Sequence, residues 1–185
     1  VTAATFEIEE NSVGWQGIQR MLRSLRAGES YVKAGVTGAA ASEQHDAEDD
    51  APLTNVDLAV IHEFGAPSRN IPPRPAINGT FALHRDEYIK RLRDLMPKVY
   101  EQRITITFML EVVGQQMASD MRNRISSGEP PFAPNAPSTL ARKLAKGTWN
   151  RKGKAQAAGQ QPMPLLDTGR FRNSITHEVV ITEGT

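Results

Sequence analysis

The chain has no cysteine. This excludes a disulfide framework, thiolate metal sites and a thiol nucleophile, and it fits synthesis in a reducing cytoplasm. Long apolar runs are missing too. The richest, Ile104 to Val113, includes threonines and Glu111 and falls far short of the roughly 20 residues needed to span a bilayer. The opening stretch Val1-Thr2-Ala3-Ala4-Thr5 carries no basic-then-apolar signal and reaches an acid by Glu7. The expectation is a soluble protein with no membrane partner.

The usual catalytic signatures are also absent. His62-Glu63 and His177-Glu178 begin like the zinc-protease helix, but neither has a second histidine four residues on, so no ligand pair shares a helical face. There is no Gly-x-Ser-x-Gly elbow and no glycine-rich phosphate loop with its lysine. One motif remains. Leu165-Leu166-Asp167-Thr168-Gly169 matches the local signature of aspartic proteases, in which two carboxylates share a proton. With 16 residues after Gly169 and no second Asp-Thr-Gly or Asp-Ser-Gly, the dyad would need a homodimer and lacks the chain for a cleft. A tight turn is the simpler reading: Asp167 bonds backbone amides ahead of it and Gly169 takes a positive φ. The chain is expected to be no enzyme and to need no cofactor or metal.

What the sequence does contain is punctuation and unevenly placed charge. Its 12 prolines and 14 glycines cluster, and the net charge of +1 hides two opposed blocks. Glu43, Asp46, Glu48, Asp49 and Asp50 form an acidic stretch without an intervening Lys or Arg. Between Ala133 and Asn173 eight Lys and Arg residues face only Asp167, a local excess of +7. Blocks of this kind are solvated segments that seek an opposite partner. A basic arm over 142–172 can neutralise phosphate, which makes a nucleic-acid-binding accessory protein the alternative function. Against it, Trp149 is the arm's lone aromatic between 147 and 163, which leaves no stacking platform for bases.

Taken in order, Phe6-Glu7-Ile8-Glu9 alternates like a strand, and Asn11 or Ser12 caps a helix striped by Ile18, Met21, Leu22 and Leu25 and ended by Gly28. Ser30 to Thr37 is the next strand, and 38–52 reads as a long acidic loop. Asp57 to Phe64 is short and apolar and fits a strand or a short helix, with Asp57 as a cap and stripe-like spacing favouring helix; Gly65-Ala66-Pro67 breaks it. Ile71-Pro72-Pro73-Arg74-Pro75 can be neither a central strand nor a helix interior, so it is an extended strap with Pro75 at or near the first turn of the next helix. That helix carries Ile77, Phe81, Tyr88, Leu92 and Leu95 on one face, and Pro97 kinks or ends it. A second helix, from about Val99 to Ile125, is striped by Ile106, Met109, Leu110, Val113, Met117, Met121 and Ile125, with the methionines as gap-filling core, and Gly128 stops it. Residues 130–163 form an extended arm in which Ser138 or Thr139 caps a short helix. Phe171 and Ile175 span a helical turn before a terminal strand, Thr176 to Thr182, antiparallel to an earlier one. The sum is a single α+β domain over 1–185: a small antiparallel sheet packed by helices, a long central helix, an acidic loop and an extended basic arm.

In order and spacing, several stretches together resemble a known family. They are Leu58-Ala59 with Ile61 and Glu63-Phe64-Gly65; Pro72-Pro73-Arg74-Pro75; the long helical region; Pro130-Pro131 with Ser138 to Lys143; and Pro164 to Ile175, which contains Leu165, Thr168, Gly169 and Ser174. The family is that of virion-morphogenesis and tail-component proteins of tailed bacteriophages: neck, tail-completion or head–tail joining proteins. The resemblance covers about Val56 to Ile181; the acidic loop and the Lys/Gln/Ala arm depart from it. It implies a structural protein of the virion, made in the bacterial cytoplasm and assembled as a ring of six or twelve copies at the head–tail junction. Its partners would be connector or adaptor proteins and a tail terminator or tube, with passing contact to genomic DNA. Arg74, Arg142, Lys143, Asp167, Arg170 and Arg172 are then expected at contacts with neighbouring subunits.

Overall fold

The computed structural model describes residues 19, 30–44, 53–146, 164–166 and 169–181. Within them the chain runs through β1 (Tyr31–Val36), α1 (Ala39–Ser42), α2 (Asn55–Phe64), a 3-10 turn (Pro67–Arg69), α3 (Asn78–Tyr100), α4 (Ile106–Ser127), α5 (Pro137–Lys146), α6 (Arg170–Ser174) and β2 (Ile175–Val180). The architecture is α+β and dominated by helix. The expected strand at Phe6–Glu9, the helix after it, the acids at 46–50, the arm over 147–163, and Asp167 and Thr168 lie outside the described residues.

The apolar stripe of α4 organises the rest. Met109, Leu110, Val113, Met117, Met121 and Ile125 are all buried, while Ile106 is partly so. Three apolar clusters are strung along this helix. Met109 and Leu110 pack with Val99 of α3; Val113 and Met117 pack with Tyr88; Met121 and Ile125 pack with Ala59, Ala76, Phe171 and Ile175. The methionines do fill the core. On one side of α4 lies α3, turned back by a short connection. On another lies an antiparallel two-stranded ribbon, with Tyr31 opposite Val180 and Val36 opposite Ile175. Such a ribbon is marginal alone and is stabilised by the helix it covers. Gly114 sets how closely it packs: a Cβ there would stand 2.5 Å from the His177 ring and 2.7 Å from a Val32 methyl. Beside it, His177 Nε2 and Glu111 Oε2 meet at 2.7 Å.

Several boundaries differ from the sequence expectation. Thr54, not Asp57, caps α2. Asp57 N–H donates to Thr54 Oγ1 at 3.2 Å, and Asp57 Oδ2 accepts the Thr54 N–H at 2.9 Å, closing a reciprocal capping box. The loop from Gly38 begins as the single turn α1, and Gln44 bridges Thr54 across it. The two long helices meet later than expected: α3 runs through Pro97 to Tyr100, and α4 starts at Ile106 behind a Thr105 cap. Proline in a last turn removes one ladder bond, and the helix closes through Glu101 N–H to Pro97 O at 2.9 Å. Pro75 lies three residues ahead of α3, and α5 starts at Pro137, so Ser138 and Thr139 sit inside its first turn.

Two expectations follow for stability. Gly114→Ala should destabilise by about 1–3 kcal/mol through overpacking, partly offset by alanine's helix propensity of about 1 kcal/mol; a urea midpoint at or above the parent's would refute it. Asp57's carboxyl is held below the usual carboxylate range, first by the Thr54 hydroxyl and then by the Thr54 N–H. A depressed folded-state pKa contributes stability that is present above the unfolded value, near 3.9, and lost as pH falls through the folded one. Asp57→Asn should therefore lose less stability than the parent as pH falls from about 5 to 2, read from urea midpoints across that range.

Candidate functional site

The described parts of the stretches that carried the resemblance come together around the proline strap. In Pro72-Pro73-Arg74-Pro75 only Arg74 has a backbone N–H. That N–H donates to His62 O at 2.6 Å, tying the strap to the last turn of α2. The side chain reaches the other way: Arg74 Nε donates to Ala133 O at 2.8 Å and Nη2 to Pro134 O at 2.7 Å. Arg74, expected at a contact with a neighbour, is instead 7% exposed. Burial lowers its pKa, from a starting value high enough that it stays charged.

Glu63 is the second tie. Helix α3 begins at an N-cap, Ile77, that offers no side-chain acceptor. The carboxylate of Glu63, at the end of α2, accepts the N–H of Ile77 through Oε1 and that of Asn78 through Oε2. A negative group at a helix N-terminus also opposes the positive end of the helix dipole. His62 and Glu63 thus tie α2 to the strap and to α3, one through its carbonyl and the other through its carboxylate. Gly65 makes the turn between α2 and the strap possible. Its φ is 74°, and a Cβ there would lie 2.6 Å from Ile71 O and 2.9 Å from Pro73 N.

Arg124, which sequence reasoning missed, completes the ring of ties. Its Nη1 donates to Pro75 O at 2.9 Å, and its guanidinium lies 4.8 Å from the centre of the Phe132 ring. Burial lowers its pKa, with the Glu63 charge acting against that shift. The local clue is Gly79, where any Cβ would collide with the Arg124 guanidinium. Arg172 donates through Nε to Ser126 Oγ at 2.6 Å, and Ser174 Oγ closes α6 on Phe171 O at 2.8 Å. Lys143 is buried, with Nζ donating to Leu166 O at 2.7 Å, whereas Arg142 and Arg170 are exposed.

Between α2, the strap, α5 and α6 these segments leave a cleft of about 300 Å³. Leu58, Ile61, Ile71 and Phe171 give it apolar walls; Arg69, Arg74, Arg142, Lys143 and Arg170 line it with positive charge. No carboxylate occurs among the described residues that line it. The His62 ring stands edge-on to Phe171, with centroids 4.9 Å apart. Outside the cleft, α2 presents Val56, Val60 and Phe64, four residues apart, at 39%, 52% and 69% exposure. Among the described residues no cluster of His, Asp or Glu could hold a metal ion, and no helix is long and apolar enough to cross a membrane.

Compared with protein-family models, with curated proteins and with solved structures, the chain matches none.

Glu63→Ala should destabilise the fold by about 1 kcal/mol, the usual cost of a lost N-terminal cap. Glu63→Gln keeps one acceptor oxygen and should cost less. Equal thermal midpoints for the parent and Glu63→Ala would refute the capping role.

Proposed function

We propose that this protein is a structural component of a tailed-bacteriophage virion, a neck or tail-completion subunit that assembles as a ring at the head–tail junction and lets DNA pass. It works by binding its own copies and neighbouring connector, terminator or tube proteins, and not by catalysis. The observation that carries this reading is the convergence at Arg74 and Glu63. The stretches resembling the phage family, scattered from Leu58 to Ile175 in sequence, form one interlocked unit whose proline strap is bonded at both sides. A strap so fixed makes a stiff surface. The apolar stripe of Val56, Val60 and Phe64 beside it gives a helix face that water solvates poorly and a partner would cover. Closed cyclic assembly puts such a stripe to use, since each copy offers the same surface to the next.

The test is the mass of the purified protein by light scattering across concentration, alone and with phage particles lacking it. A ring, or a monomer taken up into particles at six or twelve copies, is expected. A stable monomer or dimer that ignores particles overturns the proposal. Salt-dependent capture of an oligonucleotide in that case would favour the nucleic-acid-binding alternative.

A further inference from the structure

We infer that Asn78-Gly79, at the start of α3, is a deamidation site whose reaction is gated by the Glu63 carboxylate. The inference goes beyond the assembly reading and does not depend on it.

The sequence supplies the reactive pair. Asn78-Gly79 is the chain's single Asn-Gly. Asparagine is a thermolabile residue, because the amide nitrogen that follows it can attack its side chain, and glycine puts no Cβ in the way. In that step the Gly79 N–H gives its proton to water or hydroxide, and the nitrogen bonds to Cγ of Asn78. The Cγ–Nδ2 bond breaks and ammonia leaves, closing a succinimide ring. Water then opens the ring at either carbonyl and leaves aspartate or isoaspartate at position 78.

The fold meets most of the requirements. Asn78 is exposed, and among the described residues its side-chain amide makes no hydrogen bond. The first ladder bond of α3 runs from Phe81 N–H to Ile77 O at 3.0 Å, so the Gly79 N–H is one of the orphan donors of the first turn. Two positive fields favour loss of its proton. One is the N-terminal end of the helix dipole; the other is the Arg124 guanidinium, which lies where a Cβ of Gly79 would stand.

One requirement is withheld. Asn78 is the first residue of α3, and at a helical ψ of about −42° the next nitrogen is turned away from Cγ. Attack needs the 78–79 peptide to swing out of the helix. Glu63 opposes that swing, since its carboxylate holds the N–H of Ile77 through Oε1 and that of Asn78 through Oε2 at 3.2 Å. The clamp therefore sets how often Asn78 is able to react. The product in turn undoes the clamp. Isoaspartate adds one carbon to the main chain inside the first turn, and either product places a second carboxylate near that of Glu63. A copy that ages to isoaspartate loses the tie between α2 and α3 for good.

The full-length protein tests this when held at mildly alkaline pH below its thermal midpoint. Conversion at Asn78 is followed by peptide mapping that separates aspartate from isoaspartate, and a synthetic peptide of residues 75–82 gives the ungated rate. The parent should convert at least about tenfold more slowly than the peptide. Glu63→Ala should convert about fivefold faster than the parent, the extra opening that one lost N-terminal cap allows. Glu63→Gln, which keeps one acceptor oxygen without the charge, should lie between them. Gly114→Ala, destabilised at the ribbon instead, should match the parent.

A parent as fast as the peptide overturns the gate. So does a Gly114→Ala variant as fast as Glu63→Ala, which would route the reaction through global unfolding. Glu63→Gln equal to Glu63→Ala would assign the effect to charge and refute the clamp. No conversion in Glu63→Ala while the peptide converts refutes the site itself.

Discussion

One amide and one guanidinium, both belonging to Arg74, join the end of α2, the proline strap and the 133–134 segment. The strap on which Arg74 sits cannot enter a sheet or a helix, because Pro72, Pro73 and Pro75 offer no N–H. Its stiffness would be useless without an anchor. The anchor is two-sided: the backbone of Arg74 fixes the end of α2, and its side chain fixes the start of the 133–136 segment. Hydrogen bonds from a charged donor contribute about 1.5–3 kcal/mol each, and stranding buried carbonyls costs about 1–3. The site is therefore held by a few strong polar contacts over a modest apolar base.

The other ties depend on that placement. Glu63 reaches the N-terminus of α3 only because the strap brings Ile77 back beside α2, and Arg124 reaches Pro75 O because α4 ends at the same point. The cleft is a by-product of this knot. Its walls come from segments that meet only there, and its charge comes from side chains on different elements. Arg74 and Lys143 are buried and bonded to carbonyls, while Arg69, Arg142 and Arg170 are exposed.

How far the sequence reveals this depends on the range of the interaction. The stripe of α4, its stop at Gly128 and the strand Tyr31–Val36 follow from local period and punctuation, and all are present; the terminal strand is expected antiparallel to an earlier one, and only the structure shows that Tyr31–Val36 is its partner. The break between α3 and α4 is less legible. Val99 and Ile104 continue the apolar spacing across the turn, so pattern alone runs the second helix back too far; both residues pack in the same cluster from opposite sides of it. For α2, whose residues are apolar on more than one face, composition does not tell which face is covered; Val56, Val60 and Phe64 lie on the exposed one. The burial of Arg74 and Lys143 had no local signal. Their partners are main-chain carbonyls 59 and 23 residues away, and carbonyls carry no sequence label.

The ribbon has a consequence for the order of events at the ribosome. β1 precedes every helix it packs on, whereas β2 follows them all. Until Ile175–Val180 emerges, β1 lacks the strand it pairs with among the described residues, and the side of α4 around Gly114 lacks the His177 ring that packs there. Long-range pairing of this kind closes slowly, because a long loop must be ordered before its contacts form. The helical hairpin of α3 and α4 would thus wait for β2 before that face is covered. A nascent chain stalled or clipped anywhere short of β2 would leave the face of α4 that this strand covers without it, the kind of surface that chaperones and proteases read as unfinished.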